Sequence, residues 1–231
     1  MLQQEFNLCF SAILNANFTK NVIFGKIFVF MQKITDINAL DLNQTYSYAD
    51  YLLWQFEERL ELIKGKIFKM SPAPNMKHQK VAGNLYFYMR EYLQKNDFGC
   101  NLLIAPFDVR LFDKKKSKKA NKEIYTVVQP DLCVVCDKEK LDERGCLGAP
   151  DLIIEILSKG NSKKEMKIKY ELYEEAGVKE YWVVVPYEEF IHQYVLNDKG
   201  KYELKGIFVD GSIPCHIFPD LQIELEKIFE E

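Results

Sequence analysis

The sequence predicts an α/β protein with a central mixed β-sheet flanked by helices, and three observations carry that expectation. Short runs rich in Val, Ile, Leu, Tyr and Phe recur through the chain, among them RLELIKGKIFKM, DLIIEIL and KEYWVVVP. Two longer segments instead space their apolar residues at the helical repeat, NMKHQKVAGNLYFYMREYLQK and the stretch from about Ser162 to Ala176. The resulting order is helix, hairpin, helix, three strands, helix, strands, which interleaves helices with strands as a layered α/β domain requires.

In chain order, residues 1–30 are apolar and aromatic. They carry Glu5 near the start and Lys20 and Lys26 later, a poor fit to a secretory signal. Met31 begins a segment that looks like a natural start, so residues 1–30 are a candidate extension outside a domain spanning 31–231. From Thr45, TYSYADYLLWQF reads as a short helix, with Ser47 as N-cap and Asp50 in place of the Glu of a capping box. Lys64-Gly65 is turn-like between two strand-like runs, which predicts a β-hairpin ended by Pro72 and Pro74. The first long helix closes at Asn96 to Gly99. LLIAPFDVRLF, IYTVVQPDLCVVC and DLIIEIL then read as three strands, separated by the lysine-rich KKKSKKANKE and the loop DKEKLDERGCLGAP. Gly177 is the natural residue to end the second long helix, and KEYWVVVP, FIHQYVLN and KYELKGIFV follow as strands.

Composition sets bounds. The chain has 231 residues, 48 % hydrophobic and 28 % charged, enough for one full core. A net charge of −3 excludes the strongly basic class, so any nucleic-acid contact must come from local clusters of Lys and Arg. The cluster from Lys114 to Lys122 is one candidate, although a charge run between strands is usually a solvated loop. No stretch reaches the roughly 18 uninterrupted apolar residues of a membrane span. The six cysteines lie in apolar runs of a chain too large to need disulfides, so they read as buried thiols in a reducing, cytoplasmic setting. Cys133 and Cys136 form a Cys-x-x-Cys, but a strand turns the two side chains to opposite faces.

The most informative residue is Glu155. In DLIIEIL it shares a face with Ile153 and Leu157, with Leu152, Ile154 and Ile156 on the other. An ionised carboxylate in a core strand needs a cation, a metal or strong hydrogen bonds, because burying it unpaired costs several kcal/mol or more. Asp131 follows Pro130 where another apolar strand begins, and twenty-three residues lie between the two acids. That span accommodates a strand, a loop and a return strand, so both could converge on a hard divalent cation. Lys169 sits within a helical stripe of Met166, Leu172, Tyr173 and Ala176. It could pair with Glu165 one turn earlier, or reach Glu155 and place positive charge where a phosphate develops negative charge.

Together TYSYADYL, ELIKGKIFKMSPAPNMKHQKV, VVQPDLCVV, GAPDLIIEILS and KYELYEEAGVKEYWVV resemble the Uma-type putative restriction endonucleases, from about Thr45 onward. The resemblance implies a restriction-endonuclease-like core of the PD-(D/E)XK superfamily and cleavage of DNA with Mg²⁺, or Mn²⁺ in its place. It makes Asp131 and Glu155 the metal-binding motif acids, with Glu61 and His78 as further candidates. The position two after Glu155 is Leu157 where the superfamily pattern has lysine, and Lys169 is the residue that would stand in for it. Taken alone, Glu61 also fits a solvated strand position, His78 a helix-start hydrogen bond, and Asp108 an ion pair with a neighbouring basic residue. Cutting both strands would suit a homodimer. The rival expectation is a nuclease fold without catalysis that serves as a DNA-binding or protein-interaction module. There is no Gly-x-Ser-x-Gly elbow, phosphate-binding loop or His-Glu-x-x-His to favour another enzyme class.

Overall fold

The computed structural model describes residues 18–23, 26–31, 33–70, 75–112, 121–158 and 163–230. Residues 1–17 of the expected extension, and the side chains of the Lys114 to Lys122 cluster, lie outside the described residues. Strands β1 (Phe18–Ile23) and β2 (Lys26–Met31) pair antiparallel as a separate two-stranded sheet. Among the described residues no helix is long and apolar enough to cross a membrane.

Helix α1 (Tyr48–Tyr51) begins at Ser47, whose backbone N–H donates to Asp50 Oδ2 at 2.7 Å, as the capping box requires. Strands β3 (Leu60–Ile63) and β4 (Lys66–Lys69) form the expected hairpin. Its turn residues Lys64 and Gly65 both have positive φ, 50° and 80°, the geometry of a tight two-residue hairpin turn. Helix α2 (Met76–Asn96) starts at Asn75, whose side chain accepts the His78 N–H, and ends at Asp97 in the left-handed region.

The next two expected strands are each two strands. LLIAPFDVRLF divides into β5 (Asn101–Ile104) and β6 (Val109–Leu111), and IYTVVQPDLCVVC into β7 (Thr126–Val128) and β8 (Leu132–Val135). Pro106 and Pro130 lie at the divisions, where the missing N–H removes a rung from any continuous ladder. The loop expected over DKEKLDERGCLGAP holds a small hairpin, β9 (Leu141–Asp142) and β10 (Gly145–Leu147). After β11 (Leu152–Ile156) comes helix α3 (Lys163–Ala176), ended by Gly177 at φ 82°. Strands β12 (Glu180–Val185), β13 (Phe190–Leu196) and β14 (Tyr202–Phe208) follow, then β15 (Ser212–Pro214), β16 (Gln222–Glu224) and α4 (Leu225–Phe229).

The expected mixed-sheet α/β architecture is present; among the described residues its strands divide into two sheets of six and two of two. The first six-stranded sheet runs β4-β3-β7-β6-β10-β9 and the second β14-β13-β12-β11-β8-β5. Both are mixed: β10 with β6 and β11 with β12 are parallel, the remaining pairs antiparallel. Layering follows from which face each apolar residue takes. Leu152, Ile154 and Ile156 pack with Val81, Leu85 and Met89 of α2 and with the C-terminal Ile223 and Ile228. Ile153 and Cys133 face the other way, into a core shared with Val109 and Val128 of the first sheet and with Leu172 and Tyr173 of α3. Tyr48, Leu62 and Val127 form a third cluster on the outer side of the first sheet.

The cysteine expectation is corrected. Cys100 and Cys136, placed at the ends of the paired strands β5 and β8, are joined in a disulfide; Cys133, Cys146 and Cys215 are free and buried. Cys133 and Cys136 do take opposite faces of the second sheet. With one pair bonded, the argument from free thiols to a reducing compartment loses its basis.

Candidate active site

The segment 126–135 belongs to both sheets, crossing from the first to the second at Gln129-Pro130-Asp131. Around this crossing the sequence-derived acids come together. Ile154 pairs with Leu132, so one more step of the antiparallel register sets Glu155 opposite Asp131. The Ile156 N–H donates to Asp131 Oδ2 at 2.7 Å, which fixes that carboxylate against the end of β11. His78, buried in the first turn of α2, brings Nε2 to 3.3 Å from Asp131 Oδ1. Glu61 enters from β3 of the first sheet and is 4 % exposed, against the solvated reading of it; its Oε1 accepts the Gln129 backbone N–H at 2.9 Å.

Lys169 takes the longer of its two expected routes. Its Nζ lies 2.6 Å from Glu61 Oε1 and 2.9 Å from Glu155 Oε1, and the residue is 8 % exposed. Tyr173, one turn further along α3, donates its hydroxyl to the same Glu155 Oε1 at 2.5 Å. Both hydrogen bonds that Glu155 makes among the described residues therefore fall on one oxygen. Leu157, at the in-line lysine position, packs in the core between the sheets.

Charge state follows from these neighbours. Burial pushes the Glu155 carboxyl up to about 7, assisted by the negative charge of Asp131 and Glu61 and opposed by Lys169. Burial alone would lower the Lys169 ammonium, but Glu155 and Glu61 outweigh it and hold the lysine charged. Burial likewise works against a charged His78, while its hydrogen bond to Asp131 and that residue's charge raise its pKa. Burial keeps the Tyr173 phenol protonated, as a donor must be.

Asp108 sits one step away and forms no ion pair among the described residues. It accepts from the neutral Gln129 Nε2 at 2.9 Å and the Tyr51 hydroxyl at 3.3 Å, while Arg110 pairs instead with Asp142 at 2.7 Å. Sequence reasoning missed Tyr173, Gln129, Tyr51 and Arg59, which all join this network. Tyr173 alone left a signal, since it lies four residues after Lys169 on the same helical stripe.

Three carboxylates here meet one ammonium and one imidazole, a donor set with room for more positive charge. Among the described residues no three His, Cys, Asp or Glu side chains gather as a self-sufficient metal site. Asp131 and Glu155 as a pair still fit Mg²⁺, which commonly takes one or two carboxylates and fills its remaining positions with water and substrate phosphate.

The mixed α/β core thus brings a carboxylate of β11, one at the crossing between the sheets and a helix-borne lysine to one place. The chain belongs to the Uma2 family, described as putative restriction endonucleases, whose model matches residues 48–226. Among solved structures, it is similar to one described as a putative nuclease belonging to DUF820 from Anabaena variabilis ATCC 29413. That likeness has a TM-score of 0.61 at 21 % identity, covers 80 % of this chain and 97 % of the other, and is one of fold. No curated protein matches.

Proposed function

We propose that this protein is a Mg²⁺-dependent endodeoxyribonuclease with Asp131, Glu155 and Lys169 at its centre. The observation that carries the reading is the Glu155 carboxylate, held by Lys169 and Tyr173 through one oxygen and set in register with Asp131. A bound Mg²⁺, with Mn²⁺ as substitute, would be held by Asp131 and Glu155, and would supply Lewis acidity toward a phosphodiester and acidify water.

The remaining steps belong to the side chains. Lys169 presents a fixed positive charge where negative charge gathers as the phosphodiester is attacked. Glu61 holds that ammonium from the opposite sheet, and Tyr173 and His78 fix the orientations of Glu155 and Asp131. Glu155 accepts or gives up its proton near neutrality, so the ligand pair becomes fully anionic only there.

Supercoiled-plasmid cleavage tests this. Wild type is expected to nick or linearise DNA in Mg²⁺ or Mn²⁺ and to be inert in EDTA. Glu155→Ala and Lys169→Ala should each lose about 10²-fold or more in rate, the scale set by removing one transition-state electrostatic contact. The rival reading, a fold without catalysis, draws on Lys169 already neutralising Glu155 at 2.9 Å. It requires an inert wild type whose stability ignores both ions.

A further inference from the structure

We infer that Arg59 is a DNA-phosphate contact beside this site, with Gln129 as its positioning residue. The inference rests on the nuclease reading and deepens it by naming how substrate is held.

Arg59 precedes β3 and stands two residues before Glu61, the separation that returns a side chain to the same strand face. It is exposed, and among the described residues it forms no ion pair. Its guanidinium instead donates through Nε and Nη2 to a single neutral acceptor, Gln129 Oε1, at 3.1 and 2.8 Å. Gln129 is also the residue whose backbone N–H holds Glu61, so the guanidinium is tied directly to the site.

The amide orientation is dictated from behind. Asp108 Oδ1 can only accept in its ionised form, so the Gln129 side chain must turn Nε2 toward it at 2.9 Å, leaving Oε1 to face Arg59. Burial raises the Asp108 pKa, opposed first by this same Gln129 bond, so the bond and the charged carboxylate support each other. The result is an aimed guanidinium that makes no ion pair among the described residues and feels Asp108 only at longer range, at the rim of a net-acidic site. Many of the exposed lysines do the reverse and pair with acids, among them Lys64 with Glu175, Lys95 with Glu91 and Lys227 with Glu224. With the Nε edge engaged by Gln129, the Nη1 and Nη2 edge of the guanidinium is left to meet two oxygens of one phosphodiester, and an acidic protein needs such a group to draw DNA to its carboxylates.

The test is fluorescence anisotropy of a labelled DNA duplex in EDTA, where no cleavage intervenes, across 50–200 mM KCl. The proteins compared are wild type, Arg59→Ala, Arg59→Lys, Gln129→Leu and Lys199→Ala; Lys199 lies in the β13–β14 turn, at the other end of the second sheet. Each phosphate contact adds about 0.9 to the salt slope of log affinity. Arg59→Ala is expected to flatten that slope by about this amount with an unchanged melting temperature. Arg59→Lys should keep the slope but bind several-fold more weakly, because it retains the charge and loses the fork. Gln129→Leu should also weaken binding, and Lys199→Ala should match wild type. A wild-type slope in Arg59→Ala overturns the inference while leaving the nuclease reading standing. If wild type binds no duplex at any salt, the nuclease reading falls and this inference with it.

Discussion

At the scale of single residues, Glu155 and Lys169 make opposing demands on the fold. Removing the ammonium leaves two carboxylates facing each other in a nearly closed space, and breaking a buried pair from one side typically costs about 3–5 kcal/mol. Lys169→Met should therefore lower denaturant stability by about that amount, and added Mg²⁺ should recover part of it if the carboxylates are free to bind the ion. Glu155 gives a second handle. Its folded pKa of about 7 lies above the ordinary value of 4.5, so the folded state holds a proton that the unfolded chain releases as pH rises between them. Stability from this group thus falls as pH rises from about 4.5 to about 7 and levels off above that. The stability difference between wild type and Glu155→Gln, measured by urea titration in EDTA, should move against wild type over that window, and Mg²⁺ affinity should rise over the same window. A flat difference would mean that Glu155 is ionised throughout. Much of this was legible beforehand: an acid in an apolar strand and a lysine in an apolar stripe each violate the period of their element. Glu61 broke no such pattern, because LELI is too short to show which face is wet. Gln129 and Arg59 left no signal because a neutral amide and a surface guanidinium look ordinary in any loop.

At the scale of elements, two prolines inside runs that read as single strands divide the two sheets. The runs 102–112 and 124–136 carry enough Val, Leu and Ile to read as continuous strands, and nothing local says that their halves serve different sheets. Only the missing N–H of Pro106 and Pro130 marked the breaks. The crossing at Pro130 aims Asp131 into one sheet while Gln129 still contacts residues of the other. Gly145 at the start of β10 has a similar structural duty. At φ 126° its backbone passes so close to Asp108 that an added Cβ would stand 2.1 Å from the Asp108 carbonyl oxygen. Gly145→Ala must shift one backbone or the other, at a cost of roughly 1–3 kcal/mol, or several degrees in melting temperature for a chain of this size. Because Asp108 orients Gln129, the same variant should weaken duplex binding as well, measured by the anisotropy titration beside its thermal melt.

At the scale of the whole molecule, the proposed function gives one site and so one nucleophilic attack, by which a single chain would break one strand per encounter. A monomer should accumulate nicked circles before linear DNA, whereas a homodimer engaged on the duplex should convert supercoiled plasmid to linear form with little nicked intermediate. A time course of plasmid cleavage across protein concentrations, with sedimentation of the free protein, separates the two. The site itself is assembled from distant parts of the chain: Glu61 from the first sheet, His78 from α2, Asp131 from the crossing, Glu155 from the second sheet, and Lys169 and Tyr173 from α3. A chain still emerging from the ribosome has made Glu61 and Asp131 well before it makes Tyr173. On the proposed function, hydrolysis would therefore be silent through most of the chain's own synthesis, and translation itself would delay the moment at which the nascent chain could damage nucleic acid nearby.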